Sequence, residues 1–97
     1  MIGPDVHRLV AGTVGLRMRM HQPRWSYDDE MLGRVVDVEV EIIALDRMST
    51  LQDTDEPRSV TLLVKRPLVE FVARRIIDRE GPYFTEPVRV TARDLRI

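Results

Sequence analysis

Eight residues in the first half of the chain alternate almost without fault between apolar and acidic side chains. They read VDVEVEII, from Val36 to Ile43. Successive side chains of a β-strand point to opposite faces of a sheet, so this alternation predicts a half-buried strand. Asp37, Glu39 and Glu41 would then share one face. One face of this strand should therefore pack against the protein core, and the other should face solvent or cationic groups.

Other stretches of the chain show the same two-residue period. The first, Thr13–His21, places Val14, Leu16, Met18 and Met20 on one face and Thr13, Arg17, Arg19 and His21 on the other. We expect the acidic strand to span Arg34–Leu45 and a third strand to span Ser59–Lys65. A fourth strand is expected with Val88, Val90 and Ala92 facing inward and Arg89, Thr91 and Arg93 facing outward.

The segment after the third strand carries the signals of a helix. Pro67 suits a first helical position, and Gly81 followed by Pro82 suits a helix end. At helical spacing, one stripe is apolar and contains Leu68, Val69, Val72, Ala73 and Ile76. We also expect a short helix or turn near residues 27–32 and an exposed, mobile loop over residues 46–57.

These elements predict one α+β domain that spans residues 1–97. Ninety-seven residues suit a single domain, and a composition of 43% hydrophobic and 32% charged residues argues against disorder. The expected architecture has two layers, with one long helix packed on a four-stranded, mainly antiparallel sheet. The expected order of elements is β-β-β-α-β.

The acidic strand face has three interpretations at this stage. If the first two strands are antiparallel neighbours, Arg17 and Arg19 lie across from the carboxylates, and the face neutralises itself. Alternatively, the face binds a partner, with Arg89 and Arg93 adding to it. A catalytic site built from paired carboxylates is the third interpretation.

The chain offers little material for catalysis or for a bound cofactor. It has no cysteine, its histidines are His7 and His21, and "AGTVG" matches neither a dinucleotide-binding motif nor a P-loop. We expect a non-enzymatic protein with no cofactor and no metal. No signal peptide or membrane span is visible, so we expect a cytoplasmic protein without membrane contact. Fourteen arginines accompany the single lysine Lys65, a ratio typical of a GC-rich bacterium or its virus.

Surplus apolar residues indicate a protein–protein interaction module. Phe71 falls outside the apolar stripe of the helix. Leu95 and Ile97, at the end of the chain, break the alternation of inward apolar and outward polar residues in the last strand. We therefore expect this protein to bind itself, as a homo-oligomer, or a larger protein. The expected interface residues are Phe71, Arg74, Arg75, Tyr83, Phe84, Leu95 and Ile97.

Nucleic-acid binding is the alternative function. The stretch RMRMHQPRW contains several arginines and the only tryptophan of the chain. Cationic side chains that contact phosphates and an aromatic ring on which a base stacks are the elements of a single-strand site. The residues of this alternative are Arg17, Arg19, Arg24 and Trp25.

Overall fold

Three strands form a mixed sheet, and two helices pack against it. The structure, a computed structural model, describes residues 12–27, 31–49 and 58–97. In chain order the elements are β1 (Thr13–Arg19), β2 (Val35–Glu41), α1 (Ile42–Met48), α2 (Arg58–Glu80), a 3₁₀ turn (Gly81–Tyr83) and β3 (Val88–Val90). The prediction of an α+β fold is confirmed.

The prediction of four strands is wrong, because Ser59–Lys65 is helical. This segment forms the first two turns of α2, which continues through Pro67 to Glu80. Its residues are apolar on two opposite sides of the helix, so the segment lacks the single apolar stripe from which helices are recognised. The alternation of Val60, Leu62 and Val64 with their neighbours then resembles the two-residue period of a strand.

The strand pairing brings the predicted apolar faces together. β1 and β2 are antiparallel, with Leu16 opposite Val38. β2 and β3 are parallel, with Val40 opposite Val90. The inward-facing residues that the sequence predicted and that are buried are Met18, Met20, Val36, Val38, Val40, Val88, Val90 and Ala92. Burying each such side chain contributes roughly 1.5–3 kcal/mol, which makes this face the main stabilising feature of the sheet.

The acidic strand ends earlier than predicted. β2 stops at Glu41, and the chain continues directly into α1 instead of extending to Leu45. The two adjacent apolar residues Ile42 and Ile43 mark the change from the two-residue period of the strand to the period of the helix. Helical geometry then carries Ala44, Leu45 and Met48 into the core.

The inner side of α2 matches the predicted stripe in its central and C-terminal turns. Val69, Ala73, Ile76 and Ile77 are buried against the sheet. Leu68 departs from the prediction, because 42% of its surface remains exposed. It belongs instead to the opposite side of the helix.

The charged face of the sheet is largely self-neutralising. Arg17 lies opposite Asp37 across the β1–β2 pair, with Nε and Oδ1 3.6 Å apart. Across the β2–β3 pair, Arg89 Nη2 lies 3.8 Å from Glu39 Oε2. The third carboxylate, on Glu41, accepts a hydrogen bond from the backbone N–H of Ala92. Each carboxylate of VDVEVE thus has a partner.

The free edge of β1 is covered by side chains from α2. The backbone N–H of Met20 donates to the carbonyl of Arg34, and the N–H of Ile42 donates to the carbonyl of Gly12. The even-numbered residues of β1 are therefore the ones that are hydrogen-bonded to β2. The carbonyls of the odd-numbered residues of β1 point away from β2, toward the free edge. Arg66 donates a hydrogen bond to the carbonyl of Arg17, and Arg74 donates one to that of Arg19. These contacts block strand addition over this part of the edge.

Two further expectations fall partly on residues that the structure does not describe. Of the helix or turn near residues 27–32, residues 28–30 lie outside the described residues, and Met31 is buried. Of the loop expected over residues 46–57, residues 46–48 belong to α1. Residues 50–57 lie outside the described residues.

Candidate functional site

An apolar stripe runs along the solvent side of α2, opposite its buried side. At about 100° per residue its members fall within about 140° of arc. We call it the outer stripe; its members are Val60, Leu63, Val64, Pro67, Leu68 and Phe71. The exposed fractions of Leu63, Val64 and Phe71 are 69%, 64% and 57%. Five of the eleven exposed large hydrophobic residues in the described part of the chain lie here.

The side of α2 that faces the core, opposite the outer stripe, holds the helix in place. Thr61 is buried, Leu62 packs against the core, and Val69 is fully buried. Arg58 forms an ion pair with Asp46 of α1. The outer stripe therefore belongs to a helix that is docked on its other side.

A depression adjoins the outer stripe at the edge of the sheet. It has a volume of about 930 Å³, and its walls include Leu63 and Arg66 from α2 and Gly15 from β1. Because Gly15 has no side chain, the strand leaves space between Thr13 and Arg17. The depression is open to solvent and continuous with the charged face of the sheet.

An arginine-rich groove runs along the C-terminal half of α2. One part is a cleft of about 660 Å³ between the helix and the chain after β1; the other is a cleft of about 450 Å³ between the helix and the C-terminal residues. Arg75 and Arg79 line both parts. We call the two clefts together the arginine groove; its charged residues are Arg24, Arg74, Arg75, Arg79, Arg93, Arg96, Asp78 and Asp94.

Most arginines of the groove form no ion pair with a carboxylate of the described residues. This group consists of Arg24, Arg75, Arg79, Arg93 and Arg96. The two aspartates are engaged elsewhere: Asp78 accepts a hydrogen bond from the backbone N–H of Arg24, and Asp94 accepts bonds from Thr91. The groove therefore carries an excess of positive charge, with six arginines against two aspartates.

Arg74 differs from the other arginines because it performs a structural task. Its Nη2 donates to the carbonyl of Arg19 at 3.2 Å and to Glu70 Oε1 at 3.0 Å. Its Nε is buried, with no hydrogen-bond partner in the described part of the protein. Arg74 thus links α2 to β1 and has little freedom to bind a ligand.

The predicted interface residues separate into three groups. Phe71, Arg74 and Arg75 meet at the arginine groove, where the Arg75 guanidinium lies 5.9 Å from the centre of the Phe71 ring. Tyr83 and Ile97 are exposed elsewhere. The remaining two are less accessible: Phe84 is half-buried and Leu95 lies in the core.

The residues of the nucleic-acid alternative are also dispersed. Arg17 is paired with Asp37 on the sheet face. Trp25 donates from Nε1 to the carbonyl of Ile77 at 3.1 Å and packs with its ring centre 6.3 Å from that of Phe84. It is therefore a structural anchor. Arg24 alone of this set lines the groove.

Sequence reasoning missed the residues that dominate both surfaces. The two-residue period predicts that Leu63 and Val64 lie in a strand, and no sequence pattern singles out Arg79 or Arg96. A usable signal existed for the outer stripe, since residues 60, 64, 67, 68 and 71 are apolar at helical spacing. Pro67 obscured it, because proline is expected at the start of a helix.

Neither metal binding nor membrane spanning gains support from the described residues. Within residues 12–27, 31–49 and 58–97, no cluster of three His, Cys, Asp or Glu side chains is arranged to hold a metal ion. His21 lines the arginine groove, and His7 lies outside the described residues. No helix in these ranges combines the length and apolar character of a membrane span.

Comparison with protein families, with curated proteins and with solved structures finds no match to this chain.

Proposed function

We propose that this protein is a non-enzymatic protein-interaction module that associates through the outer stripe. The observation that supports this proposal is the row of exposed apolar side chains on a helix whose other side is already buried. A surface helix of a globular protein ordinarily carries polar residues on its solvent side. Contiguous exposed apolar residues mark an interaction site.

A second copy of the chain is the partner that the spacing favours. Residues 60, 64, 67 and 71 are separated by four, three and four positions, a pattern that reads the same in both directions. When two helices pair antiparallel about a two-fold axis, Val60 of one copy faces Phe71 of the other, and Val64 faces Pro67. Such self-complementarity is what an isologous dimer interface requires.

The remaining pair of the outer stripe obeys the same symmetry. Leu63 and Leu68 are equally far from the midpoint between Lys65 and Arg66. Each would therefore face the other across the axis. No charged residue interrupts the outer stripe between its first and last members, so pairing would not bury an unpaired charge.

The expected association is weak and depends on concentration. Burying the exposed half of one large apolar side chain contributes roughly 1 kcal/mol, and these gains must exceed the entropy lost on association. The twelve helical residues from Val60 to Phe71 span about 16 Å, a length that gives a contact at the small end of specific interfaces. We expect a dissociation constant of about micromolar or weaker.

Leu63→Glu tests the surface, with Ile43→Glu as the matched control. Both residues are exposed apolar residues on helices, but Ile43 lies on α1, away from the outer stripe. Sedimentation over a concentration series should show a monomer–dimer equilibrium for the parent and for Ile43→Glu, and a monomer for Leu63→Glu. A parent that stays monomeric at every concentration, or equal loss in both variants, would refute the proposal.

Cysteine cross-linking tests the register. The chain has no cysteine, so Leu63→Cys and Leu68→Cys each introduce a single thiol. In the antiparallel dimer the two thiols of a mixed pair approach each other, whereas like thiols are offset by about 7.5 Å along the axis. The mixed disulfide should therefore form fastest. Faster homodimeric disulfides would indicate a different register while leaving the surface itself supported.

A further inference from the structure

We propose that the arginine groove binds single-stranded nucleic acid through its phosphates. This inference goes beyond self-association and rests on arginines that are not members of the outer stripe, although Phe71 lies at the border of both surfaces. The proposed site differs from the nucleic-acid site that the sequence predicted around Arg17 and Trp25. In the structure Arg17 is paired with Asp37 on the sheet, and Trp25 packs against the rest of the protein.

The groove has the charge that a phosphate backbone requires. Six arginines and two aspartates line it, and five of those arginines form no ion pair with a described carboxylate. The chain as a whole has a net charge of −1. Six of the fourteen arginines are thus concentrated in one groove of a nearly neutral protein, and a polyanion would be drawn to that groove.

The arrangement of these arginines suits an extended ligand. Arg75 and Arg79 lie one turn apart on α2 and face both clefts, with Arg24 in one cleft and Arg93 in the other. A ligand that occupies both clefts contacts guanidinium groups in each of them. Guanidinium groups bind phosphate oxygens in a bidentate manner.

Nucleic acid fits this surface better than an acidic protein does. The centres of protein–protein interfaces are depleted of charged residues, whereas nucleic-acid interfaces are strongly positive. A single strand is favoured over a duplex, because a flexible strand can enter both clefts that share Arg75 and Arg79, whereas a duplex is stiff on this length scale.

The binding assay uses fluorescence anisotropy with a labelled oligo(dT) of about 20 nucleotides. If about four phosphates are neutralised, log K should fall with log salt concentration with a slope of about −3. Duplex DNA of the same length and polyglutamate of similar length are the competitors. No binding at low salt, tighter binding of the duplex, or equal competition by polyglutamate would overturn the proposal.

A pair of double variants locates the site. Arg75→Gln with Arg79→Gln should weaken binding about tenfold or more and reduce the magnitude of the salt slope by about 1.4. The control, Arg17→Gln with Arg19→Gln, removes the same charge from the site that the sequence predicted and should retain near-parent affinity. Circular dichroism verifies that both variants fold. Equal weakening in the two variants would indicate a diffuse charge effect and would refute the groove.

Discussion

Replacing Pro67 with alanine is expected to stabilise the protein, because Pro67 lies inside α2 and not at its start. Alanine supplies the backbone N–H that proline lacks, so a helical hydrogen bond to the carbonyl of Leu63 can form. Pro67 is exposed, so little packing is lost. In a helix interior, proline is about 3 kcal/mol less favourable than alanine. The greater freedom of the unfolded alanine variant offsets about 0.4–1 kcal/mol of this.

The expected gain is therefore about 2 kcal/mol in the free energy of unfolding. For a domain of this size, each kcal/mol raises Tm by about 4–8 °C, so Tm should rise by about 8–16 °C. Thermal unfolding followed by far-ultraviolet circular dichroism, at a concentration low enough to keep the protein monomeric, measures this shift. If self-association interferes, both proteins carry Leu63→Glu as well, so that the effect of Pro67→Ala is measured between two monomeric proteins.

Pro82→Ala is the matched control for this substitution. Pro82 lies in the first turn of the short 3₁₀ segment, where a missing N–H is tolerated. Its replacement should leave stability unchanged or reduce it by up to about 1 kcal/mol. If Pro67→Ala behaves like Pro82→Ala, Pro67 begins a helix, as the sequence predicted, and the reasoning is refuted.

Two other predictions concern the packing and the sheet face. Trp25→Phe removes the hydrogen bond to the carbonyl of Ile77 and should lower the free energy of urea unfolding by about 1–3 kcal/mol; an unchanged midpoint would mean that Trp25 is not a structural anchor. Asp37→Asn should change that free energy by less than about 1 kcal/mol, because the Arg17–Asp37 pair is solvated, with side chains 82% and 65% exposed. A loss well above 2 kcal/mol would show that the pair matters more than its exposure implies.

The strands were predictable because burial on one face leaves a two-residue alternation of apolar and charged side chains, which Ser59–Lys65 does not have. VDVEVE and LRMR encode their inner faces and part of their charge pairing: Arg17 lies opposite Asp37, as predicted, but Arg19 lies opposite Val35 and not opposite a carboxylate. The same logic identified Val88 and Val90. Where one face is apolar and the other charged, a slip of one residue would expose the core, so the sequence determines the inner and outer faces.

The N-terminal half of α2 was not predictable by the same reasoning. Thr61 and Leu62 face the core while Val60 and Val64 face solvent, so apolar residues occur on both sides and the helical period is lost. Pro67 then supplied a false start signal. The outer stripe was not predictable for the same reason. Which residues of a segment are exposed depends on its secondary structure, and residues 59–65 have the pattern of a strand.

The arginine groove depends on tertiary contacts that span the chain. Arg24, Arg79 and Arg93 are far apart in sequence, and the packing of α2 between the segment after β1 and the C-terminus brings them together. Their lack of ion pairs with described carboxylates is likewise a property of the fold. Local spacing identified the charges but not their common surface.

The most direct test is the backbone conformation of residues 59–66 in solution. Nuclear magnetic resonance of the labelled protein should give helical Cα chemical shifts and strong sequential amide–amide contacts throughout this segment. Extended-type shifts, together with cross-strand contacts to β1, would contradict the helix and remove the outer stripe with it.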